Sequence, residues 1–189
     1  MDKIEVVRGL MMPFFPMRPV KGRSLRTPRL IEELYIDIQE PEDWVIQPKL
    51  AGQRACLAVV DKRVYIQSRH GVWLRRSVKN ASAFLKLPNR TCLDGEVYEG
   101  NFYPFECLAV GGNLFTFCTA NEREVMAYQL MRLIKQPWIF NAPSKNWLLG
   151  RRANLPKFEG VVLKRMNSSY AILASPAQVS ADWLKRTWV

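Results

Sequence analysis

Lys49 is the residue whose surroundings first suggest chemistry on a phosphate. In the stretch IQPKLAGQR it precedes Gly52 by three residues and Arg54 by five. A lysine amine bonds covalently only when neutral, so its pKa, about 10.4 in a free peptide, has to be lowered by burial or nearby cations. Gly52 would let the backbone approach a ligand closely, and the guanidinium of Arg54 could bind a phosphate through two parallel hydrogen bonds. The same spacing is also compatible with a lysine that is only solvated in a turn.

Two carboxylates, Asp94 and Glu96, alternate with Leu93 and Val97 in the stretch LDGEVYEG. On a strand both carboxylates would point to one face, where burial is costly unless they meet a cation or hydrogen-bond donors. The alternative is an edge strand whose polar face meets solvent.

Charged residues also flank apolar stretches near the C-terminus. In FEGVVLKR, Glu159 and Lys164 bracket a run suited to a buried strand. Glu159 is a candidate oxygen ligand for Mg²⁺, a cation that prefers carboxylates and phosphates. In DWLKRTW, Lys185 alternates with apolar residues. Each stretch by itself is equally compatible with an ordinary strand that carries charged ends.

The chain is strongly basic. Its 189 residues include 28 Lys and Arg against 17 Asp and Glu, a net charge of +11. This charge favours a polyanionic partner such as nucleic acid, although a basic surface can also serve solubility alone. A hydrophobic content of 48% excludes a wholly disordered chain, and the length fits one compact domain.

The cysteines argue against a zinc site, because they occur singly in apolar runs and the chain has one histidine, His70. We expect buried free thiols in a reducing compartment at Cys56, Cys92, Cys107 and Cys118. No apolar run approaches the ~20 residues that span a bilayer, and the first residues do not resemble a signal peptide. The expectation is a soluble, nucleoid-associated protein of the cytoplasm, or of the host cytoplasm if the protein is viral.

The chain divides into a basic, proline-rich N-terminal arm at 1–26, expected to be irregular, and a domain at 27–189. The domain should begin with a helix over 27–38, capped by Thr27. Alternating apolar residues and flanking turn residues predict strands at 43–49, 54–60, 63–68, 90–99, 101–110, 158–165, 169–175 and 183–189. Turns are expected at 61–62 and at Gly100.

Two further helices and a loop complete the expected α+β fold. A short helix is predicted over 79–86, and a longer one over 121–135 with a capping box formed by Asn121 and Glu124. Its apolar stripe would consist of Val125, Leu130, Leu133 and Ile134. Residues 136–157 are predicted to be a loop.

The order of these stretches resembles the covalent nucleotidyltransferase superfamily, which includes ATP-dependent DNA ligases, RNA ligases and mRNA capping enzymes. The motif K-x-x-G-x-R is followed by SRHG, D-G-E, the aromatic–acid pair of PFECL, E-G-V-V-x-K and W-x-K. The resemblance runs from about residue 43 to the C-terminus, and the segment with NEREV is most similar to ATP-dependent DNA ligases. It implies an ATP-grasp-like nucleotidyltransferase domain of antiparallel β-sheets flanked by helices.

The resemblance also implies roles for the matching residues. Lys49 would attack the α-phosphate of ATP, and Lys164 and Lys185 would be catalytic cations at that phosphate. The rest of the nucleotide would be bound by Gln47 at the adenine, Phe105 on the base, and Arg54, Arg69 and Glu96 at the ribose. The carboxylates near Mg²⁺ would be Asp94, Glu96 and Glu159. Phosphates of the nucleic acid would be bound by Arg54 and Arg69. The arm lies before the region of resemblance, and its basic residues Arg18, Lys21 and Arg23 are candidates for the same phosphates because of their charge.

The function implied is a minimal ATP-dependent DNA ligase that seals nicks or ends through a lysyl-AMP intermediate. The C-terminal OB-fold domain of the family does not follow before Val189, so the arm or a partner chain would have to clamp the duplex. An RNA ligase is one alternative. A non-catalytic module that binds nicks or ends is another, favoured by Ala51, where the family commonly has Asp or Asn, and by Thr187 in place of a second lysine.

Overall fold

The computed structural model describes residues 16–22, 24, 38–74, 77–139, 158–172 and 179–187. These residues form two β-sheets, two α-helices and one 3₁₀ turn. The α+β class expected from the sequence is therefore confirmed. The helix predicted over 27–38 and most of the loop predicted over 136–157 lie outside the described residues.

The larger sheet is antiparallel and has the strand order β4-β3-β5-β6-β7. Its strands are β3 (Gln53–Val60), β4 (Arg63–Ser68), β5 (Thr91–Tyr98), β6 (Asn101–Val110) and β7 (Asn113–Leu114). The predicted hairpin turns are confirmed by backbones in the left-handed region, with φ of 47° at Asp61, 57° at Lys62 and 83° at Gly100. Turns of this hand match the twist of the strands they connect.

The smaller sheet has the strand order β1-β9-β8-β2. Its strands are β1 (Pro19–Lys21), β2 (Trp44–Leu50), β8 (Phe158–Arg165) and β9 (Ser180–Thr187). The β2–β8 and β8–β9 pairs are antiparallel, but β1 pairs with β9 in parallel. The expectation of an irregular arm and of purely antiparallel sheets is corrected here, because three arm residues complete the sheet edge.

Helix α1 (Ala81–Phe84) is a single turn, and helix α2 (Ala120–Ile134) packs on β6. The capping box of α2 is formed by Thr119 and Glu122, two residues before the predicted pair. The predicted apolar stripe is half wrong, since Val125 and Leu133 are exposed whereas Leu130 and Ile134 are buried. The buried face instead continues through Arg123, Ala127 and Met131.

The strand predicted over 169–175 does not form at its described residues, 169–172. The amide of Tyr170 donates instead to the carbonyl of Thr116, 2.8 Å away, so this segment bonds to a loop rather than to a sheet. The four cysteines are free, as expected; three are buried, whereas Cys118 is only partly buried, contrary to the expectation. None of the helices in the described part of the chain has the length and apolar character to cross a membrane.

Two apolar clusters make up the core. One lies beneath α2 and includes Leu57, Leu93, Phe102 and Met131. The other includes Met17 from the arm, Leu50 from β2, and the rings Phe105, Tyr170 and Trp183. The second cluster forms the floor on which the candidate site is built.

Candidate active site

A cleft of about 580 Å³ is lined by residues of both sheets. It contains most of the side chains singled out in the sequence. Those that line it are Arg18, Gln47, Lys49, Gly52, Arg54, Arg69, Glu96, Phe105, Glu159 and Lys185. Residues separated by more than a hundred positions are thus brought to one concave surface.

Lys49 lies near the end of β2, the edge strand of the smaller sheet. An edge strand tolerates Pro48, which has no amide to donate. The Lys49 side chain is half-buried and contacts Glu159 on the neighbouring strand β8. Burial is the main cause that lowers the pKa of Lys49; Glu96 opposes the shift, and the positive charges of Lys185 and Arg69 add to it. This is the direction that a nucleophilic amine requires.

Glu96 on β5 faces Lys49 from the other sheet and is 8% exposed. Burial raises its pKa to about 7, although Lys49 and Arg54 act in the opposite direction. Gln47 is buried and lines the cleft on the same strand face as Lys49, two residues before it. Gln47 and Glu96, both predicted to bind the nucleotide, thus line the same cleft as Lys49.

Gly52 is required by the packing of β5 rather than by ligand approach. A Cβ at Gly52 would lie 2.5 Å from the carbonyl oxygen of Val97 and 2.8 Å from Cγ of Glu96. The close contact with β5 therefore accounts for the glycine of the first motif.

Arg54 and Asp94 form a buried ion pair beneath the cleft. Nε of Arg54 donates to Asp94 across 3.1 Å, and a second guanidinium nitrogen contacts the other carboxylate oxygen. Tyr170 donates its hydroxyl to the same carboxylate at 2.7 Å. The guanidinium lies over the ring of Trp183 at 4.8 Å and over that of Phe105 at 5.5 Å. Arg54 is thus held on the cleft floor.

Lys164, predicted at the α-phosphate, is not among the residues that line the cleft. Its amine is buried and donates to Glu106 at 2.8 Å, and Arg123 of α2 donates to the other oxygen of Glu106, also at 2.8 Å. The amine also lies 4.2 Å from the ring of Trp183. Three buried charges therefore connect α2, β6 and β8 below the site.

The residues that fit Mg²⁺ are Glu96 and Glu159, which line the cleft on either side of Lys49. Asp94, also predicted near the metal, has a fully buried carboxylate that is bound by Arg54 and Tyr170. Within the described residues no group of three or more His, Cys, Asp or Glu could hold a metal. Mg²⁺ commonly takes only one or two carboxylates and completes its ligands with phosphates and water, so two carboxylates suffice.

The basic residues assigned to nucleic acid fall into three groups. Arg18 and Arg69 line the cleft, Lys21 is exposed on β1, and Arg23 lies outside the described residues. Arg186 is buried on the opposite face of β9 from Lys185 and so does not replace the lysine missing at Thr187.

Tyr170, Trp183 and Arg123 have contacts that the sequence did not predict. Trp183 was visible as an aromatic residue two positions before Lys185, and Arg123 as part of the E-R pair opening a helix. Each of them, however, has a partner more than forty residues away along the chain: Asp94 for Tyr170, Arg54 for Trp183 and Ser168 for Arg123. No local pattern identifies these contacts.

No family profile matches this sequence, and no curated protein sequence matches it significantly. Several solved structures, in contrast, have a similar fold. The ligase domain of LigD from M. tuberculosis has a TM-score of 0.67 and 18% identity, over 92% of this chain and 59% of that one. A mycobacterial DNA ligase D complexed with ATP and MES has a TM-score of 0.62 and 17% identity, over 92% and 60% of the two chains.

A structure of a Lig E DNA ligase, described as binding DNA with a minimal scaffold, has a TM-score of 0.50 and 15% identity, over 88% of this chain and 69% of that one. The chain spans about three-fifths of the length of the two ligase D structures. At these identities the likeness shows the backbone fold, over 88–92% of this chain. The chain therefore has the α+β fold of these DNA ligase structures.

Proposed function

We propose that the protein is an ATP-dependent polynucleotide ligase that seals nicks or ends in DNA. The observation that carries this proposal is the position of Lys49, half-buried in the cleft between Glu159 and Glu96 and with its pKa lowered. Fold alone hosts many chemistries, so the site has to carry the functional argument.

Three nucleotidyl and phosphoryl transfers make up the proposed reaction. The Lys49 nitrogen attacks the α-phosphorus of ATP, the bond to the β-phosphate oxygen breaks, and pyrophosphate leaves. An oxygen of a 5′-phosphate then attacks the same phosphorus, and the P–N bond to Lys49 breaks. Finally a 3′-hydroxyl attacks the activated 5′-phosphate, AMP leaves, and a phosphodiester bond is formed.

The chain's own groups would support these steps by position and charge. Nζ of Lys49 donates to Oε1 of Glu159, so this carboxylate lies where the amine's proton could be accepted. Lys185 provides positive charge beside Lys49, which stabilises the negative charge that develops on the transferred phosphoryl group. Phe105 and Gln47 line the cleft and would bind the base.

Mg²⁺, held by Glu96 and Glu159 together with the nucleotide phosphates, would neutralise phosphate charge.

Self-adenylation tests this proposal directly. The protein is incubated with α-labelled ATP and Mg²⁺, denatured and examined for covalent label, with Lys49→Ala as the test variant and the exposed Lys86→Ala as its control. Label is expected on the wild type and on Lys86→Ala but not on Lys49→Ala. If ATP, GTP and NAD all fail to label the wild type, the protein is a binding module; label from GTP alone would favour capping.

The acceptor is tested by offering the adenylated protein nicked duplexes that carry DNA or RNA on either side of the nick. We propose DNA as the preferred acceptor, and sealing only of RNA-containing nicks would contradict this. Binding should weaken steeply with added salt, because contacts to phosphates release counterions. A flat salt dependence would argue against a phosphate-mediated contact.

A further inference from the structure

The far edge of the smaller sheet carries a positively charged strand that is fixed to the cleft. Lys21 of β1 is the Cα partner of Lys185 on β9. The amide of Ser180 donates to the carbonyl of Arg18 at 2.7 Å, and the amide of Gly22 donates to the carbonyl of Lys185 at 3.0 Å. These two hydrogen bonds join the ends of β1 to β9 and hold Arg18 at the wall of the cleft.

The positive charges at this edge are not balanced by neighbouring carboxylates. In the part of the chain that the structure describes, none of Arg18, Lys21 and Lys185 forms an ion pair with Asp or Glu. Burial is the main cause that lowers the pKa of Lys185, and the positive charges of Arg18, Arg69 and Lys21 lower it further. Cations that repel one another in a cleft attract an anion, and a guanidinium binds phosphate oxygens through two parallel hydrogen bonds.

Strand β1 and the strand that carries Lys49 are the two opposite edges of the smaller sheet. Lys49 lies on β2 at one edge of the sheet, and the order from there is β8, β9 and β1. Three inter-strand steps place β1 about 14 Å from β2. In phosphoryl transfer the attacking and leaving groups are roughly in line across the phosphorus. Arg18 and Lys185 line the same cleft as Lys49, so a leaving group displaced by Lys49 towards β9 and β1 would meet their positive charges.

We propose that Arg18, together with Lys185, binds the pyrophosphate portion of the nucleotide and stabilises it as the leaving group. This inference rests on the proposed adenylation of Lys49. It assigns Arg18 to the nucleotide rather than to the nucleic acid, the role expected from the basic charge of the arm. Lys21, which is exposed and does not line the cleft, contributes charge at a distance.

The reverse reaction isolates this site from any nucleic acid. Wild-type protein and variants are adenylated with labelled ATP, freed of nucleotide, and mixed with increasing pyrophosphate; loss of the label and recovery of labelled ATP are measured. Arg18→Ala should raise the half-saturating pyrophosphate concentration about tenfold or more, as expected for loss of charged hydrogen bonds. Arg18→Lys should recover part of the response, and Lys21→Ala should change it less than Arg18→Ala does.

The control is Arg63→Ala, which removes an exposed arginine at the start of β4 that does not line the cleft, and it should respond like the wild type. Unchanged melting temperatures show that the variants are folded. A wild-type pyrophosphate response in Arg18→Ala overturns the inference, and so does a variant that loses only AMP transfer to nicked DNA. A wild-type protein that takes no label defeats the proposed function itself and is recognised before pyrophosphate is added.

Discussion

The amine of Lys49 on β2 contacts the carboxylate of Glu159 on β8, next to the residue that pairs with Lys49 across the two strands. Register between adjacent strands thus decides which carboxylate meets the amine. Glu96, from the other sheet, provides a second negative charge, and Lys185 from β9 an opposing positive one. The pKa of Lys49 is lowered mainly by burial; Glu96 raises it, and Lys185 and Arg69 lower it further.

The pH dependence of self-adenylation should report these opposing charges. Since the neutral amine reacts, the rate should rise with pH until the pKa of Lys49 is passed. Lys185→Met removes a positive charge, raises that pKa and should move the rising limb to higher pH. Glu96→Gln removes a negative charge and should move it to lower pH. Single-turnover rates measured across a pH series test the direction of both shifts.

If the rising limb moves in the same direction for both variants, this account is contradicted. Opposite shifts are expected only when each variant acts through the charge that it removes. Loss of rate without any shift would mean that neither charge acts through the amine.

The Arg54–Asp94–Tyr170 network should contribute measurably to stability. Asp94→Ala leaves the buried guanidinium of Arg54 without its partner and should lower the free energy of unfolding by about 3–5 kcal/mol. Tyr170→Phe removes one hydrogen bond of 2.7 Å to a carboxylate and should cost about 1.5–3 kcal/mol. Urea unfolding measures both. Tyr65→Phe, at a side chain that is 39% exposed, is the control and should change little; equal effects at Tyr65 and Tyr170 would refute the contribution of the network.

Stability in acid should depend on Glu106. Burial alone would raise the pKa of Glu106, but the charges of Lys164 and Arg123 and their hydrogen bonds outweigh it and hold the pKa below its ordinary value of 4.5. The stabilisation is therefore fully present above that value and is lost as the pH falls through the lowered pKa of the folded state. Glu106→Gln should cost about 3–5 kcal/mol at neutral pH, and the difference should shrink in acid.

Urea unfolding of the wild type and Glu106→Gln across an acidic pH series makes this comparison. Glu42→Gln, at an exposed carboxylate, is the control and should follow the wild type. A difference between wild type and Glu106→Gln that stays constant with pH would show that Glu106 stabilises the fold by packing alone.

Gly160 should be intolerant of any side chain. A Cβ there would lie 2.0 Å from the carbonyl oxygen of Arg186 on β9, so Gly160→Ala has to separate β8 from β9 and should cost about 2 kcal/mol or more. Because β9 carries Lys185, adenylation should fall as well. The control is Gly111→Asn, where φ is +59° and no heavy atom lies within 4 Å. Asparagine tolerates that conformation, and equal destabilisation by the two variants would contradict the packing argument.

Many elements of the fold could be predicted from the sequence because their signals lie within a few consecutive residues. The alternation in RACLAVV and RVYIQS and the turn at 61–62 correctly predicted the β3–β4 hairpin, and Gly100 marked the next one. The order of the motifs likewise indicated Lys49, Gln47, Glu96, Glu159 and Lys185, all of which line the cleft.

The pairing of distant residues was decided only by the tertiary structure. Asp94 was expected near a metal and Lys164 near a phosphate, yet their partners are Arg54 and Glu106. A buried charge is stable only beside an opposite charge or hydrogen-bond donors. Which group meets that need depends on strand order and register across the whole chain, including the parallel addition of β1 to β9, and no short stretch of sequence encodes these.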